Sequence, residues 1–146
     1  MMIRTLASLL FAIGILIGGL TPAKPALAED ATIVVSMTTD DGWTSQMALG
    51  FARTMQKDGV AVVVFLNVRA VSLGIKGVPQ AVQAASGKTA HEMIAEILAN
   101  GGRVFICPSC TNQSGLDIAD RLEGIEPGGL PLRQIMMAPA TKIISF

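Results

Sequence analysis

Ala61-Val62-Val63-Val64-Phe65-Leu66 is an unbroken apolar run, AVVVFL, with no polar residue alternating through it. A strand with one wet face alternates in character. A strand buried on both faces does not, and burial on both faces belongs to parallel sheets covered by helices. Upstream, Thr32-Ile33-Val34-Val35-Ser36-Met37 is a second strand of the same kind, ending in the turn and helix-start cluster Thr38-Thr39-Asp40-Asp41-Gly42. Between the two strands the spacing predicts a helix from about Thr44 to Lys57. Its apolar stripe is Met47, Phe51 and Met55, with Ala48 and Ala52 beside it, and Asp58-Gly59 stops it. Downstream, Arg103-Val104-Phe105-Ile106 is a third strand and Lys142 to Phe146 (KIISF) a last one.

The intervening segments fit a helical layer. Thr89-Ala90-His91-Glu92 has the form of a capping box, in which Thr and Glu satisfy each other's free backbone N–H groups. The helix it opens carries Met93, Ile94, Ile97 and Leu98 on one face and ends at Asn100-Gly101-Gly102. A further helix is expected from about Asn112 to Leu122, with Leu116, Ala119 and Leu122 along one side. Residues 67–88 read as a loop with one helical turn, Gly124 to Pro131 as a turn-rich connection, and Leu132–Met137 as a short helix or strand. Strands alternating with helices imply parallel pairing and right-handed crossovers. The expected fold class is α/β: a three-layer α/β/α sandwich with a mostly parallel sheet of four or five strands. The chain shows no internal repeat.

Mean hydropathy is high, at +0.55, and part of the excess sits in residues 1–28. Met1 to Arg4 is a short basic start, Thr5 to Leu20 is uncharged and apolar, and Thr21 to Pro25 breaks a helix before Ala26-Leu27-Ala28. This is the order of a secretory signal peptide. The apolar run falls short of the roughly 20 residues that span a bilayer comfortably. The expected organisation is a signal peptide over residues 1–28 and one domain over 29–146, working outside the cytoplasm, in the periplasm of a diderm cell. An uncleaved anchor is the other reading. Without Arg4 and Lys24, 9 basic and 11 acidic side chains remain, so no positive field is available to neutralise nucleic-acid phosphates.

Chemistry concentrates after the third strand. In open α/β sheets, sites form at the carboxyl ends of strands, and here those ends are Thr38–Trp43, Asn67–Arg69 and Cys107–Cys110. Only the last carries reactive atoms. Cys107 directly follows apolar Ile106, and Cys110 falls at or just before the next helix, where free N–H groups favour an anion. A thiol so placed loses its proton more readily, and the thiolate attacks sulfur. The C-x-x-C spacing lets one thiol resolve a mixed disulfide or persulfide formed on the other. Three readings stand side by side: redox or sulfur-transfer thiols, a structural Cys107–Cys110 bridge in a non-catalytic oligomeric binding or adaptor module, and half of a metal site at an oligomer interface. The last lacks donors, since His91 is the sole histidine and no second C-x-x-C exists. A thioredoxin is disfavoured by chain order, because its C-x-x-C follows an early strand.

Other residues have structural readings. Ser86-Gly87-Lys88-Thr89 ends like a phosphate loop, but Val82 stands where the first glycine belongs, and Thr89 serves better as a cap. His91 is expected on the solvent side of its helix, with a proton shuttle near the thiols as the alternative. Asp40 and Asp41 read as turn and cap residues, and Trp43 as core or interface. Met47, Met55 and Met93 read as core rather than copper ligands. Arg69 and Lys76 are either solvated charges or attractors of an anionic sulfur compound.

The segments IVVSMTTDD, QMALGFARTM, AVVVFLNV, VFICPSCTNQSGLD and TKIISF, in this order, resemble the DsrE/DsrF-like family of sulfur-relay proteins across about residues 32–146. The resemblance implies that Cys107, directly after the third strand, takes up sulfur as a persulfide and hands it on, with Cys110 resolving or modulating it. It also implies a homo-oligomer, trimer or hexamer. Sulfur donor and acceptor proteins or small sulfur compounds are the implied partners, with no nucleic acid, metal or nucleotide cofactor.

Overall fold

A computed structural model describes residues 31–146; the expected signal peptide lies outside the described residues. Five strands form one sheet: β1 (Thr32–Met37), β2 (Ala61–Leu66), β3 (Arg103–Ile106), β4 (Ile125–Pro127) and β5 (Thr141–Ser145). Their order is β4-β3-β2-β1-β5, and every pair is parallel. The helices are α1 (Gly42–Lys57), α2 (Ala90–Ala99), α3 (Pro108–Gln113) and α4 (Leu130–Met137), joined by 3-10 turns at Val68–Gly74 and Ile118–Asp120. Among the described residues no helix is long and apolar enough to cross a membrane.

The two sheet faces are covered unequally. On one face Ile33, Val35, Met37, Val62, Val64, Leu66, Val104 and Ile106 pack against Ala48, Leu49 and Ala52 of α1 and Met93, Ile94 and Ile97 of α2. Each such fully buried aliphatic contributes about 1.5–3 kcal/mol by leaving water. On the other face a smaller cluster of Val34, Val63 and Phe105 meets Leu132 of α4. The Arg103 guanidinium covers Phe105 at 4.7 Å from the ring centre and bonds Glu126 of β4 through two nitrogens. The sandwich therefore has its three layers, but the third is one short helix.

Several expectations need correction. The buried stripe of α1 is Ser45, Ala48, Leu49 and Ala52. Small residues bring this helix close to the sheet, which leaves Met47 56% exposed and Trp43 82% exposed, neither of them core. The helix expected over Asn112–Leu122 begins earlier, at Pro108, and ends at Gln113, with Gly115 just beyond at a φ of +70° that a helix cannot continue through. Asp117 then caps a separate 3-10 turn, and Ile118 rather than Ala119 packs on the core beside Leu116 and Leu122. The connection after Gly124 holds a strand, β4, whose Ile125 is buried. The capping box at Thr89 forms, with Glu92 N–H bonding the Thr89 hydroxyl at 3.2 Å and Thr89 N–H bonding the Glu92 carboxylate at 2.7 Å. Lys88 pairs with Glu96.

Candidate functional site

Chain direction decides where a crevice opens. After β3 the chain moves to the α1/α2 side of the sheet, where Cys107, Cys110, Leu116 and Ile118 pack against the larger core. After the neighbouring β4 it moves to the opposite side, into α4. The carboxyl ends of β3 and β4 are therefore the point where the two layers part, the usual position of sites in such sheets. Cys107 stands there. Gly128, the first residue after β4, donates its N–H to the Ile106 carbonyl at 2.7 Å, and a Cβ at this position would come within 3.1 Å of that same oxygen.

Cys107 still belongs to the sheet through its N–H, which donates to the Leu66 carbonyl at 2.9 Å. Its side chain caps α3. The Sγ accepts the Cys110 backbone N–H at 3.3 Å and lies 3.4 Å from the Ser109 hydroxyl. Pro108 fits the first turn because it has no N–H to leave unpaired. Thr111, fully buried, donates its N–H at 3.0 Å and its hydroxyl at 2.8 Å to the Cys107 carbonyl. The backbone beneath the sulfur is thus clamped while the residue remains half-exposed.

The two thiols differ in acidity. Burial pushes the Cys107 thiol up, but the Cys110 thiol, the Ser109 hydroxyl and the N–H groups of Cys110 and Ser109 stabilise its anion together, and the net direction is down. Burial likewise pushes Cys110 up, and here donating to Cys107 adds to the rise. The Val68 backbone, on the same cleft, opposes this only in part. The sequence put the anion-favouring position at Cys110. The structure gives it to Cys107, because the helix starts four residues earlier than expected. Both cysteines are free thiols.

Cys110 opens onto a cleft of about 340 Å³ lined by Val68, Arg69, Ser109, Gln113 and Ser114. The tips of β2 and β3 meet in this cleft. Val68 holds φ at +50°, the one non-glycine residue in the left-handed region among those described. Nothing in the sequence signalled this beyond its place between Asn67 and Arg69. Arg69 reaches the cleft with its guanidinium paired to Asp40 at 2.9 Å, so little free positive charge is left for an anionic compound. Lys76 lies elsewhere, beside Arg121 and Glu123.

The remaining candidates stay apart from the thiols. Asp41 caps α1 by accepting the Thr44 N–H at 2.8 Å. His91 is half-buried on the first turn of α2, not solvent-facing, with Nε2 buried and unpartnered. Trp43 and Met47 line a separate apolar groove with Ala81, Gln83, Ala84 and Ala85. Among the described residues no group of three or more His, Cys, Asp or Glu side chains is placed to hold a metal ion.

A parallel α/β sandwich with a free dithiol where its layers part defines a doubly wound protein with a thiol site at a strand tip. Its family is more specific: residues 30–146 match the model of the DsrE/DsrF-like family, and the chain belongs to that family. Two solved structures share the fold. The ychN protein from E. coli aligns at 20% identity with a TM-score of 0.59, over 80% of this chain and 99% of that one. MTH1491 from Methanobacterium thermoautotrophicum, a protein of unknown function, aligns at 20% identity with a TM-score of 0.62 over the same shares. No curated protein matches the chain.

Proposed function

We propose that this protein is an exported sulfur carrier that holds sulfur as a persulfide or mixed disulfide on Cys107. Membership of the DsrE/DsrF-like family supports a sulfur-relay type of function. One observation carries the assignment to Cys107: its sulfur stands at the β3 tip, half-exposed, and collects the Cys110 N–H and the Ser109 hydroxyl. Donors converging on sulfur favour the thiolate, and the thiolate is the attacking species. The donor is a protein or small-molecule persulfide, whose outer sulfur Cys107 attacks, expelling the donor's thiolate.

The test is intact-mass measurement of the reduced protein after brief exposure to a low-molecular-weight alkyl persulfide, repeated on Cys107→Ser and Cys110→Ser. An added sulfur atom is expected on Cys110→Ser, and on wild type at the shortest exposure, but not on Cys107→Ser. Equal loading of Cys107→Ser would remove the assignment.

Export rests on residues 1–28 alone. N-terminal sequencing of protein recovered from the periplasm should begin after Ala28; a chain beginning at Met1 there would count against cleavage. A homo-oligomer fits the thinly covered sheet face, where Ile143 on edge strand β5 is 46% exposed, and α4, whose Leu130 and Met137 are bare. Light scattering of the purified protein tests it, and a monomer at micromolar concentration would refute it.

A further inference from the structure

We infer that Cys110 is a resolving thiol that ends the carrier state: it attacks the Cys107 persulfide, releases the sulfur as hydrosulfide and leaves a Cys107–Cys110 disulfide. This rests on the reading of Cys107 as the sulfur-bearing residue and assigns the fate of that sulfur. The protein then acts as a persulfide reductase, with a persulfide as oxidising substrate and hydrosulfide as product.

The chemistry balances without an added oxidant. In the loaded state Cys107 Sγ is bonded to one sulfane sulfur. The Cys110 thiolate attacks Cys107 Sγ. The new Sγ–Sγ bond forms, the bond to the sulfane sulfur breaks, and its electron pair leaves with that sulfur as hydrosulfide. The proton given up by Cys110 passes to the departing sulfur or to solvent. The two cysteines are oxidised together by two electrons, and the sulfane sulfur is reduced by two. An external dithiol reductant restores the free pair by two exchange steps.

Two features of the fold place Cys110 for this role. First, the thiols share one turn. The Cys110 N–H already bonds Cys107 Sγ at 3.3 Å, which puts the second side chain on the same turn as the first sulfur. Attack therefore needs no rearrangement beyond the turn, and an intramolecular nucleophile so placed outcompetes one from solution. Second, Cys110 is the thiol lining the cleft between the β2 and β3 tips, which it shares with Val68 in its strained backbone. Strain of this kind persists where the surrounding structure demands it, commonly at functional sites.

The pairing also orders the two steps. In the unloaded protein burial and the neighbouring Cys107 thiolate both raise the Cys110 thiol and so help keep it protonated. Loading turns Cys107 Sγ into a two-bonded sulfur and moves the negative charge outward by one atom, onto the sulfane sulfur. With Cys107 Sγ itself no longer charged, the second thiol becomes easier to ionise once the first is occupied.

The experiment loads reduced full-length protein briefly with a low-molecular-weight alkyl persulfide, desalts it at once, and follows intact mass and free sulfide together. Wild type should release sulfide in equal amount to the sulfur loaded. It should end two hydrogens lighter than the reduced chain, with Cys107 and Cys110 joined in peptide maps. Cys110→Ser should keep the one-sulfur adduct on Cys107 and release sulfide at least about tenfold more slowly. Wild type holding its adduct as long as Cys110→Ser, or releasing sulfide with both thiols still free, overturns the inference while Cys107 stays the carrier. Absence of any adduct on Cys110→Ser, with loading intact in Cys107→Ser, defeats the carrier reading itself. Should Cys110→Ser fail to fold, the wild-type arm decides alone, because disulfide and sulfide are measured on the native chain.

Discussion

Val68 lines the same cleft as Cys110 and holds a φ of +50°, a conformation that L-residues adopt at a cost of about 1–2 kcal/mol. A β-branched side chain makes it less comfortable still. Its side chain is 53% exposed and contributes little burial in return. Val68→Gly should therefore relieve strain. The added freedom of glycine in the unfolded chain costs about 0.5–1 kcal/mol, so the variant is expected to gain up to about 1 kcal/mol in urea unfolding. A loss of that size would mean that the Val68 side chain packs in a way its exposure does not suggest.

The thiols should titrate apart. Cys107 lies below the ordinary thiol value of 9.0 and Cys110 above it. Alkylation follows the thiolate, so the rate at Cys107 should rise to its plateau at lower pH than the rate at Cys110, and should be lost as pH falls through the lowered value. Peptide mapping after timed iodoacetamide pulses resolves the two sites. Ser109→Ala removes the hydroxyl at 3.4 Å and should move the Cys107 midpoint upward by at most about one unit, the equivalent of one hydrogen bond. A single shared midpoint would contradict the division of roles.

These assignments also show what the residues declared on their own. The continuous runs of β1 and β2 announced a sheet buried on both faces, and the Thr89–Glu92 pair announced the start of α2, because each signal is local. The α3 boundary was local too. Pro108 is suited to a first helical turn, and Cys107 before it is a capping position, but sulfur is not an expected cap and the apolar residues further on drew the helix to Asn112. β4 was hidden because it has only three residues, one of them Pro127, and exists by pairing with β3. The α1 stripe misleads at Met47, because a large apolar side chain is the stronger hydropathy signal while polar Ser45, small enough to meet the sheet beside Ala48, takes the buried position. The Val68 turn has no local signal, because valine is among the residues least expected at a positive φ.

His91 gives the fold a pH dependence separable from that of the carboxylates. Burial disfavours its charged form, with the Ile75 backbone a weaker opposing influence, so its pKa in the folded protein lies below the ordinary 6.5. The unfolded chain then binds the proton more readily. This contribution to stability is fully present above 6.5 and declines as pH drops toward and through the lower folded value. Glu92, Glu96 and Glu126 are also lowered, from 4.5. Their contributions persist above that value and fade only in more acid solution. Between the two ordinary values the loss should belong mainly to His91. The ring is only half-buried and screened by solvent, so the loss should stay below about 1 kcal/mol. Urea midpoints should fall between neutral pH and about pH 5 in wild type and stay nearly level in His91→Gln, whose amide does not titrate. Parallel decline in the two proteins would assign the dependence to another group.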